Sequence, residues 1–354
     1  MNDVFLIAEA GVNHDGVVEK AHHLVELAAR CGADAVKFQT FNTDALVRQG
    51  AAQAEYQKRA LANDQYSLLQ QLELPAEAFK SLAQQAQALN MEFMTTAFDT
   101  ASLALLDDLP VKRYKIPSGE ITNLPFIIQH ARRPLPIILS TGMASIRDIE
   151  QACAAVVWGR LYPDRWPLSI SELMAVYEQD FPNLAKHQLT LLHCTSAYPA
   201  PVDSLNLSAI TDLQSRFGVP IGYSDHSLGN SASLITMGLG VRLIEKHFTL
   251  DTSMPGPDHQ ASMSPEQLAD WVQTVRAASR ALGSASKQTH QYESDVKHVA
   301  RKSLVARHPI AMGQIIQEQD LTFKRPGSGL PPSSFFDRVN QPAHRAYEAD
   351  EDIE

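Results

Sequence analysis

Two lysines occupy positions that call for a chemical explanation. Lys37 lies in the alternating run Val36-Lys37-Phe38-Gln39, and Lys115 in Tyr114-Lys115-Ile116. Period-2 strand geometry puts Lys37 and Gln39 on one face and Val36 and Phe38 on the other. An ammonium pointing into an interior without a partner is costly and tends to lose its proton. An anionic ligand could supply the partner, with Thr96, Ser118 and Ser140 adding neutral donors to a phosphate or carboxylate. The alternative is a structural ion pair, such as Lys37 with Glu9. His226 and His247 each close a short β-rich run. Adjacent strands lie about 4.8 Å apart, so two imidazoles there could share one metal ion. Two histidines with oxygen ligands suit Mn²⁺, Fe²⁺ or Zn²⁺ better than Ca²⁺; a hydrogen-bonding role is the other reading. Ser224 shares a face with His226, and Glu245 with His247. Cys194 reads as a buried structural cysteine, because His193 points the other way and leaves it no base. Gly119 and Gly142 follow two of the strands, where backbone amides could approach a phosphate.

These residues need elements to hold them. Eight short strands alternate with helical stretches: Val4–Ala8, Ala35–Phe38, Glu92–Thr95, Arg113–Ile116, Ile137–Leu139, Leu189–His193, Pro220–Tyr223 and Leu243–Glu245. Helices are expected at Val18–Arg30, Ala76–Asn90, Ser145–Val157, Asn206–Phe217, Ser231–Leu239 and Ser264–Leu282, the last opening on Ser-Pro-Glu and stopping at Gly283. Eight such units in about 280 residues match a (β/α)8 barrel. A doubly wound sheet fits less well, since no GxGxxG turn follows the first strand. Glu9, Gln39, Glu120 and the residues above all fall at or just past C-terminal strand ends, the face on which such barrels carry their sites. The stretch Trp158–His187 reads as a long excursion of one loop.

The domain reading is a barrel over residues 1–283, a polar linker over 284–294, a small β-rich domain over 295–346 and an acidic, disordered tail over 347–354. The chain has 354 residues, 40 Asp+Glu against 30 Lys+Arg and a formal net charge of −10, which argues against a nucleic-acid partner. Apolar residues make up 44% and charged residues 20%, the balance of a packed globular protein rather than a disordered one. No apolar run approaches the roughly 20 residues that span a bilayer. Three cysteines without CxxC spacing suggest a reducing, cytoplasmic setting.

The segments IAEAGVNHDG, DAVKFQ, YKIPSGE, ILSTGM, LHCTSAYPAP, GYSDHSLG, EKHFTLD and MPGPDH occur in this order. Together they resemble the sialic acid synthase family, which condenses phosphoenolpyruvate with an N-acetylated six-carbon sugar. ARKSLVA and KRPGSG resemble that family's antifreeze-like SAF domain. The resemblance implies that Lys37, Thr96, Lys115, Ser118 and Ser140 hold the phosphoenolpyruvate, and that Ser196, Tyr198 and Ser224 line the mouth. Some members carry Asn where this chain has Ser196. His226 and His247 would ligate a divalent metal, usually Mn²⁺. Glu9, Gln39, Glu120 and Asp258 would contact sugar, metal shell or reacting centre. It also implies a domain-swapped homodimer in which Arg325 of one chain reaches the sugar's N-acetyl group in the other. The expected sugar is N-acetylmannosamine and the product N-acetylneuraminate, because GPDH resembles the sialic and legionaminic branches. The alternatives are a legionaminic or, further off, a pseudaminic acid synthase using a 2,4-diacetamido-trideoxy hexose, another phosphoenolpyruvate–aldose condensing enzyme or lyase, and a surface-binding module on an inactive barrel.

Overall fold

The computed structural model describes residues 4–53, 63–184 and 188–354. Its contacts divide the chain after Gly283 into two units. In the first, eight parallel strands close into a barrel in sequential order: β1 (Phe5–Gly11), β2 (Ala35–Thr40), β3 (Glu92–Ala97), β4 (Tyr114–Ile116), β5 (Ile137–Ser140), β6 (Leu189–Cys194), β7 (Ile221–Asp225) and β8 (Leu243–His247). The connecting helices are α1 (Val18–Cys31), α2 (Thr43–Leu46), α3 (Gln65–Leu72), α4 (Ala76–Ala88), α5 (Thr100–Leu105), α6 (Leu124–Ala131), α7 (Ile146–Leu161), α8 (Ile170–Leu184), α9 (Ala209–Phe217), α10 (Ser231–Gly238) and α11 (Pro265–Leu282).

Local chemistry sets many of these boundaries. Asn42, Asp64, Asp99 and Asn123 accept backbone amides at the starts of α2, α3, α5 and α6. Ser145 with Asp148, and Ser264 with Gln267, form reciprocal capping boxes on α7 and α11. Gly32 ends α1 at φ +83°, a left-handed conformation that most side chains resist.

The barrel interior is layered. Ile7, Ala35, Met94, Ile138 and Leu192 form a buried apolar plug, with Leu243 packed against it. Two residues further along each strand stand Glu9, Lys37, Thr96, Ser140, Cys194 and Glu245. Period 2 keeps both members of each pair on the interior face. One rule therefore builds an apolar floor and a polar mouth above it. The outer face carries its own buried polar set: Lys246 pairs with Asp225 at 2.9 Å, and Asp225 accepts from Ser227 and Ser233.

The Trp158–His187 excursion is mostly helical. α7 runs on to Leu161 and α8 packs beside it, while Trp158 donates to the Arg165 carbonyl at 3.0 Å. Residues 185–187 of that excursion lie outside the described residues.

In the second unit a helix, α12 (Ser294–Ala300), follows the polar stretch, and β9 (Ser303–Ala306) pairs antiparallel with β10 (Leu321–Lys324). The expected disordered tail is instead packed. Tyr347 and Ile353 belong to this unit's apolar core with Leu304, Ala306 and Ile310. The Ile353 amide donates to the Leu304 carbonyl and the Ala306 amide to the Glu351 carbonyl, both at 2.9 Å. Arg345 holds Glu351 at 2.5 Å and Glu354 at 3.3 Å, which offsets part of the acidic run's self-repulsion. Two buried apolar side chains fix a segment whose composition reads as solvated. Among the described residues no helix is long and apolar enough to cross a membrane.

Candidate active site

The C-terminal strand ends open into a cavity of about 1110 Å³. At its base Lys37 Nζ lies 2.7 Å from Glu9 and 3.7 Å from Glu245, and Lys115 Nζ lies 3.6 Å from Glu245. Lys37 donates to Thr96 Oγ1 at 3.1 Å, and Lys115 to Ser140 Oγ at 2.8 Å. All four ionisable groups are buried. Lys37 thus has the ion pair with Glu9 and still faces the cavity. Two ammonium groups and two carboxylates balance in charge but not in environment. Burial pushes the Glu9 carboxyl up to about 7 against the pull of Lys37. Burial also opposes ionisation of Glu245, but Lys115 and Lys37 outweigh it and hold that carboxyl at about 2. Burial draws Lys115 below the ordinary lysine range. For Lys37 burial is outweighed by Glu245 and Glu9, which raise it.

Beside this cluster the Gly142 amide donates to Ser118 Oγ at 3.0 Å and to Cys194 Sγ at 3.1 Å. A Cβ on Gly142 would stand 2.9 Å from that sulfur, so only glycine fits there. Cys194 is therefore buried but also lines the mouth. Burial raises its thiol, which keeps it neutral and a poor nucleophile.

The histidine pair stands on β8 and just past β7. The imidazoles of His226 and His247 are 5.5 Å apart, and the Tyr198 ring lies 4.3 Å from His226. His226 Nδ1 donates to the Thr195 carbonyl at 2.7 Å, which leaves Nε2 with a lone pair 3.2 Å from Ser224 Oγ. Ser224 gives its one hydroxyl proton to Glu245 at 3.1 Å, so that lone pair stays open. His247 Nδ1 is buried without a hydrogen-bond partner among the described residues, with Asp258 at 3.8 Å. Burial lowers both histidines, His247 strongly, so both are neutral. Asp258 is itself pushed up to about 6 by burial. Neutral imidazoles beside carboxylates form a donor set that Mn²⁺ or Fe²⁺ accepts. Among the described residues no three His, Cys, Asp or Glu side chains already converge on one point. An ion held here would complete its shell with water or substrate oxygens.

Gln39, Glu120, Ser196 and Tyr198 line the rim, and Glu120 accepts from Asn123 at 2.7 Å. Asp258 is brought near His247 but is not part of the cavity wall. Arg325 belongs to the other unit, exposed just after β10. Glu245 is the central residue that sequence reasoning leaves unassigned. Its available signal is its place two residues before His247 on the same strand face.

Comparison with known proteins places this geometry. The chain is 42% identical over 331 residues to the N,N'-diacetyllegionaminic acid synthase of Legionella pneumophila, covering 93% of this chain and 87% of that protein. It is 40% identical over 354 residues to the protein of that name from Campylobacter jejuni, covering 99% of each. The human N-acetylneuraminate-9-phosphate synthase is 32% identical over 357 residues, covering 99% of this chain and 91% of the human protein. These values correct the expectation of N-acetylmannosamine as the sugar and N-acetylneuraminate as the product. The GPDH motif behind that expectation resembles both the sialic and the legionaminic branches and does not separate the two. A NeuB family model matches residues 24–287 and a SAF domain model residues 301–349, and the chain accordingly belongs to the NeuB family of sialic acid synthases, its barrel followed by a SAF domain.

Proposed function

We propose that this chain joins phosphoenolpyruvate to the open-chain aldehyde of a 2,4-diacetamido-2,4,6-trideoxy hexose, with water, giving N,N'-diacetyllegionaminic acid and inorganic phosphate. The observation that carries the reaction is the Lys37–Glu245–Lys115 cluster set beside two neutral imidazoles in one cavity. The choice of sugar rests on the relatives at 42% and 40% identity.

Lys115, Ser140 and Ser118 would hold the phosphate and carboxylate of phosphoenolpyruvate, with Lys37 and Thr96 completing the seat. That seat fixes C3 of phosphoenolpyruvate against the aldehyde and supplies orientation. A bond forms from C3 to the aldehyde carbon, and positive charge develops at C2. Glu245, held ionised between the lysines, is a fixed negative charge close to that centre. Water adds at C2, and the C2–O bond to phosphate then breaks. Glu9, poised near neutrality, is the carboxylate matched to accept the water proton, while Glu120 stands at the rim. A divalent ion, Mn²⁺ being the expected one, would be held by His226 and His247 and would polarise the aldehyde oxygen as a Lewis acid.

The test is phosphate release with Mn²⁺, phosphoenolpyruvate and each of three sugars: the 2,4-diacetamido-trideoxy mannose, its altrose isomer and N-acetylmannosamine. The first is expected to give the highest kcat/KM. A higher value for either of the others replaces this reading, and release without any sugar rejects it.

A further inference from the structure

The cavity wall is not uniform. Lys115, Ser118, Ser140 and Ser196 occupy the β4–β6 side, Lys37 stands on β2, and the imidazoles stand at β7 and β8 with Ser224. Above Lys37 and Gln39, on the β2–β3 side, the wall turns apolar. Phe41 follows β2, Phe98 follows β3, Leu46 closes α2 and Leu69 lies on α3; all four line the cavity. They also form a small apolar cluster of their own with Val12, Leu68 and Leu72, separate from the main core. The Phe41 and Phe98 rings meet edge-on at 6.3 Å. Among the described lining residues the only lysines or arginines are Lys37 and Lys115, and both are buried at the base against carboxylates.

We infer that this Phe41–Leu46–Leu69–Phe98 wall selects for a deoxygenated carbon at the far end of the sugar, a C6 methyl in place of a hydroxymethyl or a phosphate ester. The inference rests on the condensation proposed above. With the phosphoenolpyruvate anion at the base, on Lys37, Thr96, Lys115 and Ser140, and the aldehyde at the imidazoles, the rest of the sugar chain extends up toward the rim, where this wall stands above Lys37 and Gln39. There a methyl gains contact with Phe41, Leu46, Leu69 and Phe98. A hydroxyl against these four side chains loses water, the polar lining residues of that side being Gln39 and Gln65 with Glu9, Lys37 and Thr96 at the base. Among the described residues a phosphate meets no lysine or arginine along the wall. An apolar pocket discriminates against an added hydroxyl by roughly tenfold to a hundredfold in kcat/KM.

Four sugars separate this inference from the reading beneath it: the mannose analogues bearing 2-acetamido, with acetamido or hydroxyl at C4 and methyl or hydroxymethyl at C6. The C4 comparison tests the proposed substrate, and the C6 comparison tests the wall. The parent chain is expected to prefer the methyl roughly tenfold to a hundredfold in either C4 background. Leu69→Gln and Leu46→Gln, both half-buried at the rim, are expected to shrink the C6 preference below about threefold while leaving the C4 preference in place. Leu69→Met is expected to retain both. Equal rates for the two C6 forms in the parent, alongside a kept C4 preference, overturn the wall and leave the substrate reading standing. A C6 preference that persists in both folded glutamine variants also overturns it. Preference for the C4 hydroxyl overturns the substrate reading, and the wall is then judged by the C6 ratio in that pair. No turnover of any of the four overturns both.

Discussion

The Glu245 carboxylate lies 3.6 Å from the Lys115 ammonium, and both groups are buried at the base of the cavity. It occupies the kind of place an incoming anion would take. Glu245→Gln removes the charge and keeps the shape. Losing one partner of a buried pair costs about 3–5 kcal/mol, so the melting temperature is expected to fall. Phosphoenolpyruvate then supplies the missing negative charge. Thermal unfolding with and without it is expected to show a larger ligand-induced rise in the variant than in the parent. Equal rises would mean that the carboxylate and the ligand anion do not share those lysines.

Lys37→Met and Lys115→Met are each expected to raise the phosphoenolpyruvate KM. A charge-assisted contact contributes about 1.5–3 kcal/mol, or roughly tenfold to 150-fold. Steady-state titration of phosphoenolpyruvate at saturating sugar reads this directly. An unchanged KM in both variants would return the lysines to a purely structural ion-pair role with Glu9 and Glu245.

The imidazole pair makes a metal prediction. Exhaustive chelation is expected to abolish turnover, and Mn²⁺ to restore it. His226→Ala and His247→Ala are each expected to lower bound metal measured by elemental analysis, and to lower kcat more than they raise the phosphoenolpyruvate KM. Full activity at well below one metal per chain would sink the assignment.

His130 gives a pH prediction remote from the cavity. It is buried in α6 against Phe126 and Tyr114, and burial lowers it from 6.5 to about 4. The folded state therefore keeps it neutral, whereas the unfolded chain binds a proton below pH 6.5. Its stabilising effect is complete above pH 6.5 and is lost as pH falls toward 4, by up to about 3 kcal/mol. His130→Phe is expected to flatten that part of the stability–pH curve in denaturant titrations at pH 7 and pH 4.5.

The eight strands were legible because their apolar alternation is strong, yet sequence reading ends most of them one to three residues early. β2 runs on through Gln39 and Thr40, β7 through Ser224 and Asp225, and β8 through Lys246 and His247. Those added residues are polar because they face the mouth or a buried network, so hydropathy fades where the strand does not. Glu245 was read as sharing a face with His247 but given no role, because the two lysines that define it arrive from β2 and β4, far away in sequence. The two lysines and two histidines were legible because packing alone rarely places an ionisable residue inside an apolar run. The choice of sugar was not, since the GPDH motif resembles two branches at once and the choice rests on whole-chain identity to relatives. The 347–354 segment misled because six of its eight residues are acidic, small or exposed, while Tyr347 and Ile353 do the packing.

That segment has a further consequence. β9 bonds β10 along one side, and residues 350–353 run along its other side. Without them β9 would present an open row of amides and carbonyls, a template on which the same strand of another molecule could add. These residues thus close the second edge of β9 and leave it no open row for edge-to-edge association.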